Sequence, residues 1–499
     1  MRSPAASSNN PRALTYPSQE SAPARRWQFL ALARELVGAP AWLGAVLVFF
    51  GAMCHLEVVN PARPLRMSIG VHGLVSALAG FALIGLGLAR RRALTERAAL
   101  AALWLLTCGF LGFSVLRFVI SHVDHHSVIG VIRNLLRIGC VLGLVAVPAW
   151  LAGFRKSALA LQLALFALLM TARALVLQAS SDPRIDVFTL ASEASMALWR
   201  GENPYAIETT NLYQGTQLDL GYSPGYNYFP ALLIANALSY KLAGDVRALY
   251  VLAELVIALC LWRFSRALGW SRFAAWTFAV FWCSTTLSFQ VIEKWNDALV
   301  LALVAATLTL LAERRWVLAG VAFGLAVASK QYVPLAALPL ALFALRVAPP
   351  RLRLRAATAT LLAAALPCLP FLVDRPEALL SRTLFHFAGT PFREESLSLL
   401  NWAHLTFGFG VDSAWIRVSP YLGLGLGLAA SVLVALRCRA DAPLGVNLQY
   451  LIVGWLCVWQ GMFQFIKQSF LNYHYFFLGV SVFLLAALAQ CRPNSAASR

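Results

Sequence analysis

Asp186 is the residue in this chain whose type and position most suggest chemistry. It stands in a polar stretch that begins just after a long apolar run ending near residue 179. A carboxylate there can take a proton from a hydroxyl. It can equally be a first-turn acid favoured by a helix dipole, and spacing alone leaves both readings open. Other polar groups have the same double character. His122, Asp124, His125 and His126 sit in one short turn and read as a metal site or as a solvated turn. Glu293, Lys294, Asn296 and Asp297 either pair as a surface cluster or line a cleft. Glu254 lies inside an apolar run and must be paired or face a cavity. Lys467, Asn472, Tyr473, His474 and Tyr475 begin the last apolar run. An aromatic belt accounts for the tyrosines, and His474 is also suited to touch a polar ligand. The cysteines form no C-x-x-C pair, so they read as small buried hydrophobes.

The elements that position these groups follow from composition. The chain has 499 residues, 60% of them hydrophobic and 13% charged, more apolar surface than a water-soluble domain can hide. A membrane crossing needs about 20 apolar residues. Spans are expected at 38–59, 68–89, 98–120, 132–154, 157–179, 246–264, 272–292, 296–313, 316–330, 332–347, 356–373, 416–436, 446–466 and 474–490. The fold class is therefore all-α, a polytopic integral membrane protein with about 14 transmembrane helices. Residues 1–36 and 491–499 read as cytoplasmic tails, the first disordered. Residues 37–156 read as a four-helix extension and 157–490 as the main membrane domain.

The 41 Lys and Arg outnumber the 22 Asp and Glu. They sit singly or in short clusters between apolar runs, which argues for cytoplasmic loop anchors and against nucleic acid. Arg90 to Arg92, Arg97, Arg155, Lys156, Arg314, Arg315, Arg351, Arg353 and Arg355 mark one face, and both termini belong to it. Tyr228–Ala243 is apolar but short, so it is expected to lie along the outer surface or to re-enter. Two large outer segments remain, 180–245 and 374–415, and function is expected in such loops. In the first, Asp182 suits an N-cap and Pro183 the first helical position, with Gly201 as the stop. The second mixes Arg375, Arg382, His386, Phe392, Arg393, Glu394, Glu395, Asn401, Trp402 and His404. Such a loop suits ligand contact or an ordinary surface cap.

Asp186 is followed fifteen residues later by Gly201-Glu202-Asn203-Pro204-Tyr205, then by Tyr228-Phe229-Pro230, and later by Lys330-Gln331-Tyr332-Val333-Pro334. This order resembles the GT-C class of membrane glycosyltransferases. It is most similar to glycosyltransferase family 87, the polyprenyl-phosphate-mannose-dependent mannosyltransferase-like proteins. The resemblance departs at the four spans preceding the Asp loop, at Phe229, and at the turn Phe289–Asp297. It implies a GT-C-like fold whose first outer loop carries a juxtamembrane helix. It also implies a polyprenyl-phosphate sugar donor and inversion at the anomeric carbon.

Glycosyl transfer needs a base for the acceptor hydroxyl and a cation for the departing phosphate. Asp186 fits the base. Lys330, Arg184 or Arg393 could meet the phosphate, although snorkelling explains Lys330 as well. Tyr205, Tyr228 and His474 complete the candidate substrate-binding set. There is no D-x-D and no glycine-rich phosphate loop, so a nucleotide-sugar donor is poorly supported. No cofactor is called for, and a divalent cation stays open. The expected function is transfer of a hexose, mannose by the resemblance, to a periplasm-facing glycan or lipid acceptor at a bacterial inner membrane. The competing readings are a transporter or flippase of lipid-linked glycans and a non-catalytic membrane scaffold.

Overall fold

A computed structural model describes residues 96–117, 125–181, 183, 185–212, 214–215, 225–287, 296–386, 392, 396–410 and 413–488. The expectations for the two tails, for spans 38–59 and 68–89, and for His122, Asp124, Asp182, Arg184, Glu293, Lys294, Arg393, Glu394 and Glu395 fall outside them. The described residues form helices and no strand. In chain order these are α1 (Glu96–Arg117), α2 (His126–Leu151), α3 (Arg155–Ala179), α4 (Asp186–Trp199), α5 (Pro230–Ala243), α6 (Arg247–Ala267) and α7 (Arg272–Leu287). They continue with α8 (Asp297–Ala312), α9 (Trp316–Val327), α10 (Ala337–Val347), α11 (Pro350–Ala365), α12 (Leu369–Asp374) and α13 (Pro376–Leu380). Last come α14 (Leu399–Phe407), α15 (Ala414–Ala435), α16 (Leu444–Phe465) and α17 (Leu471–Leu488).

Four of these helices, α2, α3, α6 and α15, are long and apolar enough to cross a membrane. The twelve expected spans that fall among described residues each contain a helix, but several are shorter than expected. α9 has 12 residues, about 18 Å of helix, against a hydrocarbon core of about 30 Å. A 3₁₀ turn at Val333–Ala336 follows it, so 316–347 is one broken unit. Residues 356–373 are broken too: α11 starts earlier, at Pro350, and stops at Ala365 before the Pro367–Pro370 stretch. Broken backbone at this depth is tolerable only where protein encloses it. α9 packs between α8 and α11.

Two kinds of contact hold the bundle. One is close backbone approach at glycine. Gly423 and Gly427 on α15 face Gly461 and Cys457 on α16, and a Cβ at Gly423 would lie 2.5 Å from the Gly461 carbonyl oxygen. Small residues let helices approach this closely where hydrophobic force between spans is weak. The other is a buried polar knot. Glu254 on α6 accepts from Trp282 Nε1 at 2.8 Å and from the Tyr475 hydroxyl at 2.5 Å. Arg173 on α3 lies 3.7 Å from the same carboxylate, and both side chains are buried. Arg173 Nη2 also donates to the Cys283 carbonyl at 2.7 Å. The acid inside an apolar run is therefore paired, and it joins α3, α6, α7 and α17.

The first outer helix departs from expectation at its start. It begins at Asp186, with Ile185 extended before it and no side-chain cap. Arg247, buried at the head of α6, donates to the carbonyls of Ser180 at 2.6 Å and Ser181 at 3.3 Å. Both carbonyls precede the helix, which starts at Asp186. Its end is as expected: Gly201 takes φ 76°. α5 packs against α4, with Trp199 Nε1 donating to the Ala237 carbonyl at 2.7 Å.

Gly423→Ala should destabilise the protein by about 1–3 kcal/mol through overpacking. Gly425→Ala, on the same helix with no atom within 4 Å of the added Cβ, should not. Thermal unfolding of the two variants in one detergent checks this; equal melting would remove the close-approach argument.

Candidate functional site

At one end of the bundle, the start of α8, the end of α9 and the start of α17 meet around one carboxylate. Asp297 opens α8 and is fully buried. Its Oδ2 accepts from Lys330 Nζ at 2.6 Å and from Asn472 Nδ2 at 2.8 Å. Its Oδ1 accepts from the Tyr332 hydroxyl at 2.7 Å. Lys330, just past the end of α9, is 1% exposed and also donates to Asn296 Oδ1 at 3.2 Å. Three rings enclose its ammonium: Tyr228 at 5.0 Å, Tyr473 at 5.5 Å and Tyr332 at 5.6 Å from their centroids. Asn296 and Asp297 are thus interior residues and not part of a surface cluster. The Lys330 ammonium turns inward to a partner and does not snorkel to the surface.

Asp186 stands at the edge of this cluster. It is half-buried, and one carboxylate oxygen accepts from the Val187 amide at 2.8 Å. Tyr228 links it to the interior. Burial pushes the Tyr228 phenol well above its ordinary range, and the nearby Asp186 charge pushes it further. Asp186 therefore sits within electrostatic reach of the tyrosine whose ring covers Lys330. Tyr205 is buried and its hydroxyl donates to the Tyr228 carbonyl at 2.9 Å. Its ring packs edge-on to Tyr226 and Phe371. In this geometry Tyr205 holds the Tyr228 backbone in place. Asn203 caps the same turn by accepting from the Tyr205 amide at 2.9 Å, and its amide donates to Asp374 at 2.8 Å. That bond ties the first outer segment to the second. His474 is also buried, with Nε2 3.4 Å from Ser469 Oγ.

A cavity of about 480 Å³ opens beside the cluster. Tyr332 and Tyr473, two of the rings around Lys330, form part of its wall together with Gln331. Arg417 and Lys467 bring two cations, and Tyr421, Leu384, Met462 and Ile466 supply apolar surface. Gln331 Nε2 donates to the carbonyls of Asn227 at 2.5 Å and Thr383 at 3.2 Å, so both outer segments are anchored at this wall. The cavity combines cations with a largely apolar lining, which suits an amphiphile with an anionic head. Among the described residues, no group of three His, Cys, Asp or Glu could hold a metal ion. His125 and His126 are exposed.

Over residues 222–458 the chain matches the family model of glycosyltransferase family 87. The similarity indicates a membrane-bound glycosyltransferase, with a sugar donor, an acceptor and a lipid environment. No curated protein and no solved structure matches the chain. The region similar to family 87 contains Tyr228, Asp297, Lys330, Gln331 and Arg417. Asp186, Tyr205, Lys467, Asn472 and His474 lie on either side of it.

Two groups near the candidate site, Arg417 and Arg247, escape a reading of the sequence, as does the burial of Asp297. Arg417 sits alone at the head of an apolar run and looks like a span anchor. Asp297 is adjacent to charged residues and looks solvated. Arg247 shows no local signal of its reach to Ser180. Only the spacing of Asp297 and Lys330 at the two ends of an apolar hairpin could have suggested their pairing.

Asp297→Ala strands a buried ammonium, and removing one partner of a buried pair costs about 3–5 kcal/mol. The double change Lys330→Met with Asp297→Leu should recover much of that loss. Thermal unfolding in detergent measures both, and equal losses would show that the pair is uncoupled.

Proposed function

We propose that this protein transfers a hexose, mannose in the first instance, from a polyprenyl phosphate to a hydroxyl of a glycan or lipid acceptor. The acceptor oxygen attacks the anomeric carbon as the bond to the phosphate oxygen breaks. The leaving phosphate keeps the bonding electrons, the acceptor proton passes to Asp186, and the configuration inverts. The reading places this site on the periplasmic side of a bacterial inner membrane.

Two observations support the reading: Asp186 is half-buried and its charge acts on Tyr228, whose ring covers Lys330, and a cationic and apolar cavity is walled by Tyr332 and Tyr473, the other two rings around that ammonium. A carboxylate with access to water can act as base. Arg417 and Lys467 supply the positive charge that a departing phosphate needs, and the apolar wall accepts the first isoprene units. Arg184 and Arg393 belong to the same two outer segments and are the further phosphate contacts proposed. Lys330 is engaged with Asp297. In this reading it contributes through Tyr228, Tyr332 and Tyr473, whose rings it holds, and it reaches phosphate only by leaving its acid. Tyr205 and Tyr228 set the floor on which the sugar lies. His474 supports the same wall through Ser469.

Membranes carrying the protein, given a panel of radiolabelled polyprenyl-phosphate sugars, should transfer one of them. Asp186→Asn should lower that rate by about 10² to 10⁴-fold, with the same donor affinity. Full transfer by this variant would refute the base assignment. Arg417→Ala with Lys467→Ala should mainly raise the donor KM. A flippase would instead move the labelled lipid across sealed vesicles and form no new glycosidic bond.

A further inference from the structure

A second cavity lies at the other end of the bundle. Asp186 follows the C-terminal end of α3, whereas this cavity is built around its N-terminal end, about 37 Å away along a helix of 25 residues. Its volume is about 510 Å³, and Arg97, Arg155, Lys156 and Arg272 all line it. All four side chains are exposed, and among the described residues none of them is in an ion pair with an acid. The single acid in the wall, Glu96, is turned onto the Ser271 hydroxyl. The first turns of α1, α3 and α7 open on the same space, and helix N-termini add positive potential.

The rest of the wall is apolar. Trp150 stacks on Phe273 with centroids 5.4 Å apart and planes 7° apart, and Leu159 lies beside them. On the flank, Leu151 is 49% and Phe154 66% exposed. A cluster of unpaired cations repels itself, and the cost falls when an anion enters. A free anion would use the cations and leave the aromatic wall and its apolar flank without a partner. An anionic phospholipid uses both: phosphate on the arginines and lysine, glycerol and acyl chains on Trp150, Phe273 and the flank. Basic pockets between membrane helices take anionic headgroups in this manner.

We propose that this cavity binds the headgroup of an anionic phospholipid from the leaflet opposite Asp186. The bound lipid bridges α1, α2, α3 and α7, and so fastens the helices preceding the family 87-like region onto it. The test uses the full chain in a non-ionic detergent, with phosphatidylglycerol or phosphatidylcholine of identical acyl chains added and bound lipid read by native mass spectrometry. Phosphatidylglycerol should be retained in preference. Arg155→Ala with Arg272→Ala should weaken its binding roughly tenfold and leave phosphatidylcholine unchanged. Arg97→Ala with Lys156→Ala, a second pair of exposed side chains, should shift it in the same direction. Arg439→Ala removes a surface arginine outside the cavity, paired with Asp441, and should have no effect. The proposal is overturned by absence of the preference in the unaltered chain, by its survival in both paired variants, or by an equal loss in Arg439→Ala. Displacement by inorganic phosphate beyond that by chloride at matched ionic strength also overturns it, since that marks a free-phosphate site.

Discussion

One end of this bundle is organised by the ion pair between Lys330 and Asp297. A carboxylate and an ammonium removed from water cost several kcal/mol each unless their remaining valences are filled. Here they are filled: Asp297 accepts three side-chain donors, and Lys330 adds Asn296 and three aromatic faces. The partners come from four places in the chain: Tyr228, Asn296 with Asp297, Lys330 with Tyr332, and Asn472 with Tyr473. Satisfying one carboxylate therefore fixes the start of α8, the break after α9, the start of α17 and the loop that carries Tyr228. The geometry near Asp186 is inherited from that condition, because Tyr228 cannot cover Lys330 unless its loop is held down.

The rest of the scaffold keeps that loop down. Tyr205 holds the Tyr228 carbonyl, Asn203 bonds to Asp374, and Gln331 bonds to the loop carbonyl of Asn227 and to the helical-turn carbonyl of Thr383. Arg247 holds the other side by gripping Ser180 and Ser181, and its guanidinium also lies over the Phe188 ring at 5.0 Å. Apart from the side-chain pair Asn203–Asp374, the hydrogen bonds among these run from side chain to backbone between segments far apart in sequence. Such bonds suit a loop that must keep one shape without a helix of its own.

Helices were legible in the sequence because long apolar runs have few alternatives in a membrane, and the stop at Gly201 was legible because few residues other than glycine accept its positive φ. The start of α4 was not, since the local signal at Asp182 and Pro183 points to an earlier start than Asp186, where the helix begins. The sequence left Asp297 open between a surface cluster and a cleft for a related reason. Polarity of the neighbouring residues is a local property, whereas burial of Asp297 follows from α17 and the α9 break closing over it. Asp186, Lys330 and Tyr228 could be picked out from the sequence, but not the enclosure of Lys330 by the rings of Tyr228, Tyr332 and Tyr473, which is a matter of geometry. The cavity beside Tyr332 and Tyr473 draws Arg417 from α15 and Lys467 from the turn between α16 and α17, and no spacing rule links those positions.

The break at Lys330 has a physical reason that connects fold to chemistry. A continuous helix through residues 316–347 would satisfy its own backbone and place Lys330 on a helix face among apolar neighbours. Ending α9 at Val327 and restarting through the turn at Val333–Ala336 frees Lys330 to point at Asp297 and lets Tyr332 turn its hydroxyl to the same acid. The interruption leaves backbone groups that must be met from outside the segment. Trp455 and Trp459 on α16 donate to the carbonyls of Ala336 and Tyr332 at 3.0 and 3.1 Å, and the Ala231 amide at the head of α5 donates to the Ala328 carbonyl at 2.9 Å. The broken helix is thus stable only in the company of α16 and of the first outer segment. The segment bearing Asp186 and the segment bearing Lys330 depend on each other for hydrogen bonds, and a site shared between them is a consequence of that dependence.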